Sequence, residues 1–165
     1  MSEAPRDIFF GKLLEYAIED PSVLLLTGDV GGKFLDRWLE EVPDQTFNMM
    51  PAEQNMILVA AGLAKEGFKP YCYTIIPFCI FRPLEMIRMY LSHDKLPVRL
   101  IGIGADNSYD VEGITHWSEG DKEIIETLGG INIWTCDDNT PEEYARIAAH
   151  NTYVNDLPVY VRLGR

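Results

Sequence analysis

With 165 residues, 47% of them hydrophobic and 24% charged, the chain is long enough to bury one core and has the composition of an ordinary globular domain. Its formal net charge of -12 excludes a nucleic-acid binder or a binder of anionic membranes, since both need clustered cations. The acidic residues are scattered and form no tail. No apolar run is long enough to span a bilayer, and the polar, acidic residues 1–7 do not read as a secretory leader. Cys72, Cys79 and Cys136 lack CxxC spacing and sit in apolar surroundings, so free buried thiols in a reducing cytoplasm are expected. His93, His116 and His150 lie far apart and match no zinc pattern, so no metal site is expected on this chain.

Residues 8–19 place Ile8, Leu13, Leu14, Ala17 and Ile18 at helical spacing, followed by Pro21, and predict a helix. Residues 23–27 form a short apolar run that reads as a buried strand, with a glycine-rich loop, 28–32, at its end. A short helix is expected over 34–41, a strand over 46–49 and a helix over 55–65. Residues 69–75 read as strand, 83–91 as helix with Pro83 in its first turn, and 98–104 as the clearest core strand. Residues 106–117 carry Gly, Asp and Asn without a period and read as a long loop. Helix over 119–128, strand over 131–135, helix over 141–151 and strand over 159–163 complete the chain. Strands alternating with helices predict an α/β fold, a single doubly wound, mostly parallel sheet with helices on both faces, and one domain over 1–165. In such sheets ligands sit at the carboxyl ends of the strands. Four segments reach that edge: 28–32, 49–53, 76–82 and 104–117.

The stretch Pro51-Ala52-Glu53-Gln54-Asn55-Met56-Ile57 opens a helix behind a short strand. Free N–H groups and the helix dipole favour a carboxylate there, so Glu53 alone reads as a helix-start residue that only caps. Together with the following Ala60-Ala61-Gly62-Leu63-Ala64, however, the stretch resembles the AEQNM…AAGLA segment of transketolases and deoxyxylulose-phosphate synthases. Those enzymes use thiamine diphosphate, and the resemblance is to their pyrimidine-binding domain over nearly the whole chain. It implies the thiamine-diphosphate-binding fold, and at Glu53 a carboxyl that hydrogen-bonds N1′ of the cofactor's aminopyrimidine and so activates the thiazolium carbon. Thr74-Ile75-Ile76-Pro77-Phe78-Cys79-Ile80-Phe81-Arg82, with Glu85-Met86-Ile87-Arg88, resembles the family's TF…F…R-A-x-(D/E)-Q-(I/V)-R. That resemblance implies that Phe78 packs on the aminopyrimidine, with Phe81 its neighbour and on its own a plain core residue. It implies that Arg82 buttresses Glu53 or the pocket, a surface salt bridge being the alternative. Met86 stands where the family has Gln.

Glu112-Gly113-Ile114-Thr115-His116-Trp117 resembles D-G-x-T-H-(H/Q), which implies that His116 reaches substrate hydroxyls beside the reactive carbon. Glu112 stands where Asp contacts a donor sugar, and Trp117 replaces a small or polar residue, which together imply an altered substrate pocket. Asp29 matches the Asp of the family's A-D-L-G-G turn near the thiazolium; its alternative is a turn-forming residue. Arg165 matches the arginine that binds a substrate phosphate. Gly28-Asp29-Val30 with Asn55 is not the magnesium-diphosphate motif GDG…N, because its third glycine is missing. The chain is therefore identified as the pyrimidine half of a split, two-component enzyme that transfers a two-carbon, ketol-type unit between sugar or other carbonyl substrates. A separate subunit with GDG…N would hold Mg²⁺ and the diphosphate, in an α2β2 heterotetramer. Two alternatives stay open. A split 2-oxo acid decarboxylase would use the same Glu and cofactor, although the G-x-T-H loop favours sugars. A catalytically idle regulatory partner is opposed by Glu53 and His116 but left open by Glu112, Met86 and Trp117.

Overall fold

A computed structural model describes residues 4–105, 108–137 and 139–164. In chain order the elements are α1 (Pro5–Glu19), β1 (Val23–Thr27), α2 (Lys33–Glu41), β2 (Thr46–Asn48), α3 (Glu53–Lys65), β3 (Lys69–Ile75), α4 (Ile76–Ile80), α5 (Leu84–Met86), β4 (Arg99–Ile103), α6 (Asp121–Leu128), β5 (Asn132–Cys136), α7 (Glu142–Val154) and β6 (Val159–Leu163). Among the described residues six strands form one sheet in the order β2-β1-β3-β4-β6-β5, parallel at every pairing.

The apolar runs explain this arrangement. Every residue of β1, β4 and β6 is buried, as expected for strands covered on both faces. Alternate side chains go to opposite layers. Val23, Leu25, Tyr71, Tyr73, Ile101 and Val161 join Phe10, Leu14, Trp38 and Ala149 from α1, α2 and α7. Leu24, Leu26, Cys72, Leu100 and Tyr160 join Met56, Ala60, Ile80 and Ile125 from α3, α4 and α6. The chain leaves β1 through α2 on the first face, and it leaves β3 through α4 on the second. The carboxyl ends of β1 and β3 therefore diverge into a crevice, the usual ligand position in such sheets.

The sequence expectations hold for the order of strands and main helices, and the chief differences are these. Helix α1 begins at Pro5, because proline suits a first turn whose N–H has no partner. The helix expected over 83–91 is a single turn, α5, running into a π-helical turn at Ile87–His93, whose wider register buries Ile87 and Leu91. Helix α4 follows β3 without a loop and is too short to show a period. It sits close on β4 because position 102 is glycine: a Cβ there would lie 2.6 Å from Ile76 Cγ1. The segment read as an aperiodic loop holds two 3₁₀ turns, Asp110–Glu112 and Ile114–His116. No helix among the described residues is long and apolar enough to cross a membrane.

Candidate active site

Glu53 is the first residue of α3, one position after the N-cap Ala52, and it is 2% exposed. The capping role that its position alone suggests is not what the side chain does. Both carboxylate oxygens accept hydrogen bonds from Arg82 Nη1, each at 2.9 Å. Arg82 lies in the turn between α4 and α5, with 46% of its side chain exposed. Its backbone carbonyl accepts a hydrogen bond from Gln54 Nε2 at 3.1 Å, which ties that turn to the start of α3. The guanidinium carbon lies 3.8 Å from the centroid of the Phe78 ring. Phe78, on α4, meets the His116 ring at 5.0 Å between centroids and 71° between planes. His116 closes the second 3₁₀ turn, its Nδ1 3.0 Å from Thr115 Oγ1. Glu53, Arg82, Phe78 and His116 thus form a continuous chain of contacts at the carboxyl edge.

Gly28 and Thr74 lie beside this chain, at the ends of β1 and β3. Thr74 is fully buried, and its Oγ1 has no hydrogen-bond partner among the described residues. A Cβ on Gly28 would lie 2.8 Å from that oxygen and 3.6 Å from Glu53 Oε1. Glycine is what lets the β1 backbone pass so close, and the crevice holds a buried carboxylate together with an unused hydroxyl. A native buried hydroxyl left without a partner points to a ligand or water that completes it.

Other candidates are placed as follows. Asp29 is exposed, has φ of 60° and accepts a hydrogen bond from Asn48 Nδ2 at 2.9 Å, which supports its turn-forming role. Phe81 is 37% exposed, which corrects its reading as core: the single turn after α4 carries it outward. Glu112 is exposed in the first 3₁₀ turn. Trp117 donates its indole N–H to the Asp110 carbonyl at 3.3 Å, which ties the two 3₁₀ turns together. Arg165 lies outside the described residues. All three cysteines are free and buried, and burial pushes the thiols up, Cys136 to about 12. They stay protonated and inert. Among the described residues no group of three His, Cys, Asp or Glu side chains could hold a metal ion.

Two features escaped the sequence. Thr74 was legible only as part of a motif, since nothing in its neighbours announces an orphaned hydroxyl. Asp121, at the start of α6, accepts from the Tyr160 hydroxyl, from Arg162 Nε at 2.7 Å and from Arg162 Nη2 at 3.2 Å. Both Asp121 and Arg162 are buried. The only trace in the sequence was an acidic residue after Gly120 and a cation inside an apolar strand.

The parallel doubly wound sheet and its switch-point crevice define a ligand-binding α/β module. The chain belongs to the family described as transketolase, pyrimidine binding domain, which it matches over residues 4–165. It is 29% identical over 161 residues to the 6-deoxy-6-sulfo-D-fructose transketolase subunit SqwH of Clostridium sp. (strain MSTE9), covering 97% of this chain and 49% of that protein. It is 30% identical over 164 residues to an apulose-4-phosphate transketolase subunit of Phocaeicola vulgatus, covering 98% and 51%. Among solved structures it resembles a split gene transketolase in an inactive β4 tetramer, with a TM-score of 0.85 and 27% identity, covering 100% of this chain and 52% of the other. A transketolase from Leishmania mexicana shares the fold alone, with a TM-score of 0.80 at 17% identity, over 98% of this chain and 25% of that one. The chain spans about half the length of the curated relatives it matches.

Proposed function

We propose that residues 1–165 act as one pyrimidine-binding module of a split, thiamine-diphosphate-dependent transketolase-type transferase. It would move a two-carbon, ketol-type unit between sugar or other carbonyl substrates. The observation that carries this reading is the buried Glu53 carboxylate, joined through Arg82 to the Phe78 ring, in the switch-point crevice of a chain of this family. The names of the relatives, both transketolase subunits, support transketolase chemistry over 2-oxo acid decarboxylation.

The crevice fits an aminopyrimidine. Glu53 offers a carboxyl away from water for the ring nitrogen N1′, Phe78 offers a flat apolar face, and Thr74 offers an unused hydroxyl. When bound, the cofactor would supply a thiazolium carbon nucleophile and an electron sink for cleavage of the bond beside a carbonyl. Glu53 shares a proton with N1′, and it does so with little competition from water because it is buried. His116, held against Phe78, donates or accepts a proton at the substrate hydroxyl beside the reactive carbon. Asp29 would lie near the thiazolium, Phe81 and Arg82 would border the pyrimidine pocket, Glu112 would meet a sugar hydroxyl, and Arg165 would bind a substrate phosphate.

A second subunit carrying GDG…N would bring Mg²⁺ and the diphosphate site, in an α2β2 heterotetramer. That the related split transketolase is described as inactive in its β4 form supports the need for such a partner.

The test is Glu53→Gln in the complex reconstituted with that partner. Gln keeps the shape and can hydrogen-bond, but it cannot share a proton with N1′. Hydrogen–deuterium exchange at the thiazolium C2 is expected to slow by about 10²–10⁴-fold while the cofactor stays bound. Exchange as fast as in the parent would overturn the assignment.

A further inference from the structure

We propose that, in the cofactor-free chain, the Arg82 guanidinium occupies the place of the cofactor's aminopyrimidine and must swing out before that ring can bind. The inference rests on the pyrimidine-binding reading of the crevice and adds to it that Arg82 competes with the ligand instead of buttressing its site.

A bound aminopyrimidine would make two contacts here, a hydrogen bond from N1′ to Glu53 and a stack on Phe78. Arg82 makes both. Its Nη1 donates to Glu53 Oε1 and Oε2 at 2.9 Å, and its guanidinium carbon sits 3.8 Å from the Phe78 centroid. That separation is a stacking distance, so no second ring fits on the same face. The chemical likeness is close, because guanidinium and protonated aminopyrimidine are both flat, delocalised N–C–N cations. A carboxylate in an apolar crevice needs such a partner, and Arg82 supplies one until the ligand arrives.

Arg82 is also built to leave. Its side chain is 46% exposed, so the guanidinium has water beside it and loses little by entering it. Its main chain is held, since its carbonyl accepts from Gln54 Nε2 and the turn lies between two helices. Rotation about the side-chain bonds therefore suffices, with no movement of the fold. Glu53, at 2% exposure, cannot follow it out and stays for the ring nitrogen.

The probe is 4-amino-5-hydroxymethyl-2-methylpyrimidine, the cofactor's pyrimidine without its thiazolium or diphosphate, titrated calorimetrically into the full chain. The parent, Arg82→Ala, Arg82→Lys and Glu53→Gln are compared, with circular dichroism confirming that each is folded. Arg82→Ala is expected to bind about tenfold more tightly than the parent, the combined strength of a half-exposed ion pair and a cation–π contact. Arg82→Lys keeps a charge for Glu53 but cannot stack as a plane, and is expected to fall between the two. Glu53→Gln lacks the charge that favours a protonated ring and is expected to bind this fragment weakly, because the fragment has no diphosphate to hold it as the whole cofactor would be held in the complex. If Arg82→Ala binds equally or less tightly while binding still depends on Glu53, Arg82 is a buttress; the inference falls and the pyrimidine reading stands. If neither parent nor Arg82→Ala binds, or binding ignores Glu53→Gln, the reading itself falls and the inference with it.

Discussion

Two arginine–carboxylate pairs stand at the carboxyl edge of this sheet, and they are built to opposite ends. In each, the carboxylate is the first residue of a helix, Glu53 of α3 and Asp121 of α6, and each carboxylate is 2% exposed. The difference lies in the cation and in how fully the oxygens are used. Arg162 projects from β6, with 8% of its side chain exposed, and reaches Asp121 through two different nitrogens. The Tyr160 hydroxyl adds a third hydrogen bond. Burial pushes that hydroxyl well above its usual range, and the neighbouring Asp121 adds to the shift, so it remains a donor. Arg82 projects from a turn, stands half in water and uses one nitrogen for both oxygens of Glu53. The same residue types thus serve two ends. The Asp121 cluster is a closed lock between α6 and β6, and the Glu53 pair is the looser contact that, on the reading proposed above, a ligand exchanges.

That contrast breaks most visibly in stability. Asp121→Ala removes the counter-charge from a buried arginine and the acceptor from a buried tyrosine hydroxyl. Denaturant unfolding is expected to show a loss of about 3–5 kcal/mol. Glu53→Ala is expected to cost about 1 kcal/mol or less, because Arg82 can hydrate where it stands. Equal losses for the two substitutions would erase the distinction between lock and exchangeable pair.

The crevice offers a second, smaller contrast. Around Asp121 the oxygens are satisfied, whereas Thr74 Oγ1 has no partner among the described residues. Thr74→Val exchanges the hydroxyl for a methyl of similar size. A buried hydroxyl without a hydrogen bond costs about 1–3 kcal/mol, so the variant is expected to gain about 1 kcal/mol, or about 2–4 °C in melting temperature. Pyrimidine binding is expected to weaken severalfold at the same time. A variant that loses stability, or binds the pyrimidine as well as the parent, would mean that the hydroxyl serves the fold.

Much of this was legible in the sequence, for identifiable reasons. The strands at 23–27 and 159–163 read correctly because strands buried on both faces must be continuously apolar. Glu53, Phe78, Arg82 and His116 could be named because they sit in motifs, and the fold brings these four into contact. What they do to one another was not legible. Whether Arg82 faces solvent, Glu53 or the ring depends on where the turn after α4 points, and a five-residue helix has no period from which to read it. Asp121 and Arg162 were missed for the related reason that they are 41 residues apart, one on α6 and one on β6, and meet only when that helix packs against the sheet. Exposure of Phe81 was misjudged because an aromatic in an apolar run reads as core until the backbone turns it outward.

A third ion pair, at the opposite edge of the sheet, sets a scale for the first two. Asp20, the C-cap of α1, accepts hydrogen bonds from Lys69 Nζ at 2.7 Å, Ser22 Oγ at 2.6 Å, Ser22 N at 2.9 Å and Tyr153 Oη at 3.1 Å. Burial pushes its carboxyl up, but the hydrogen bonds from Lys69, Ser22 and Tyr153 outweigh it and hold the group well below the usual carboxylate range. A carboxyl depressed in the folded state contributes stability above its unfolded value, about pH 4, and loses it as pH falls toward the folded value. The parent's melting temperature is therefore expected to fall on acidification below about pH 4. Asp20→Asn is expected to be less stable than the parent at pH 7, by about 1 kcal/mol or less given the partial exposure of Lys69 and Asp20, and to show a flatter acid limb. Melting curves for both proteins between about pH 7 and pH 2 measure the two slopes. Parallel slopes would assign the acid sensitivity to other carboxylates. Curves that converge on acidification would assign it to Asp20, and a gap at pH 7 smaller than the loss in Asp121→Ala would show that burial of the cation, more than the number of hydrogen bonds, separates a structural pair from an exchangeable one.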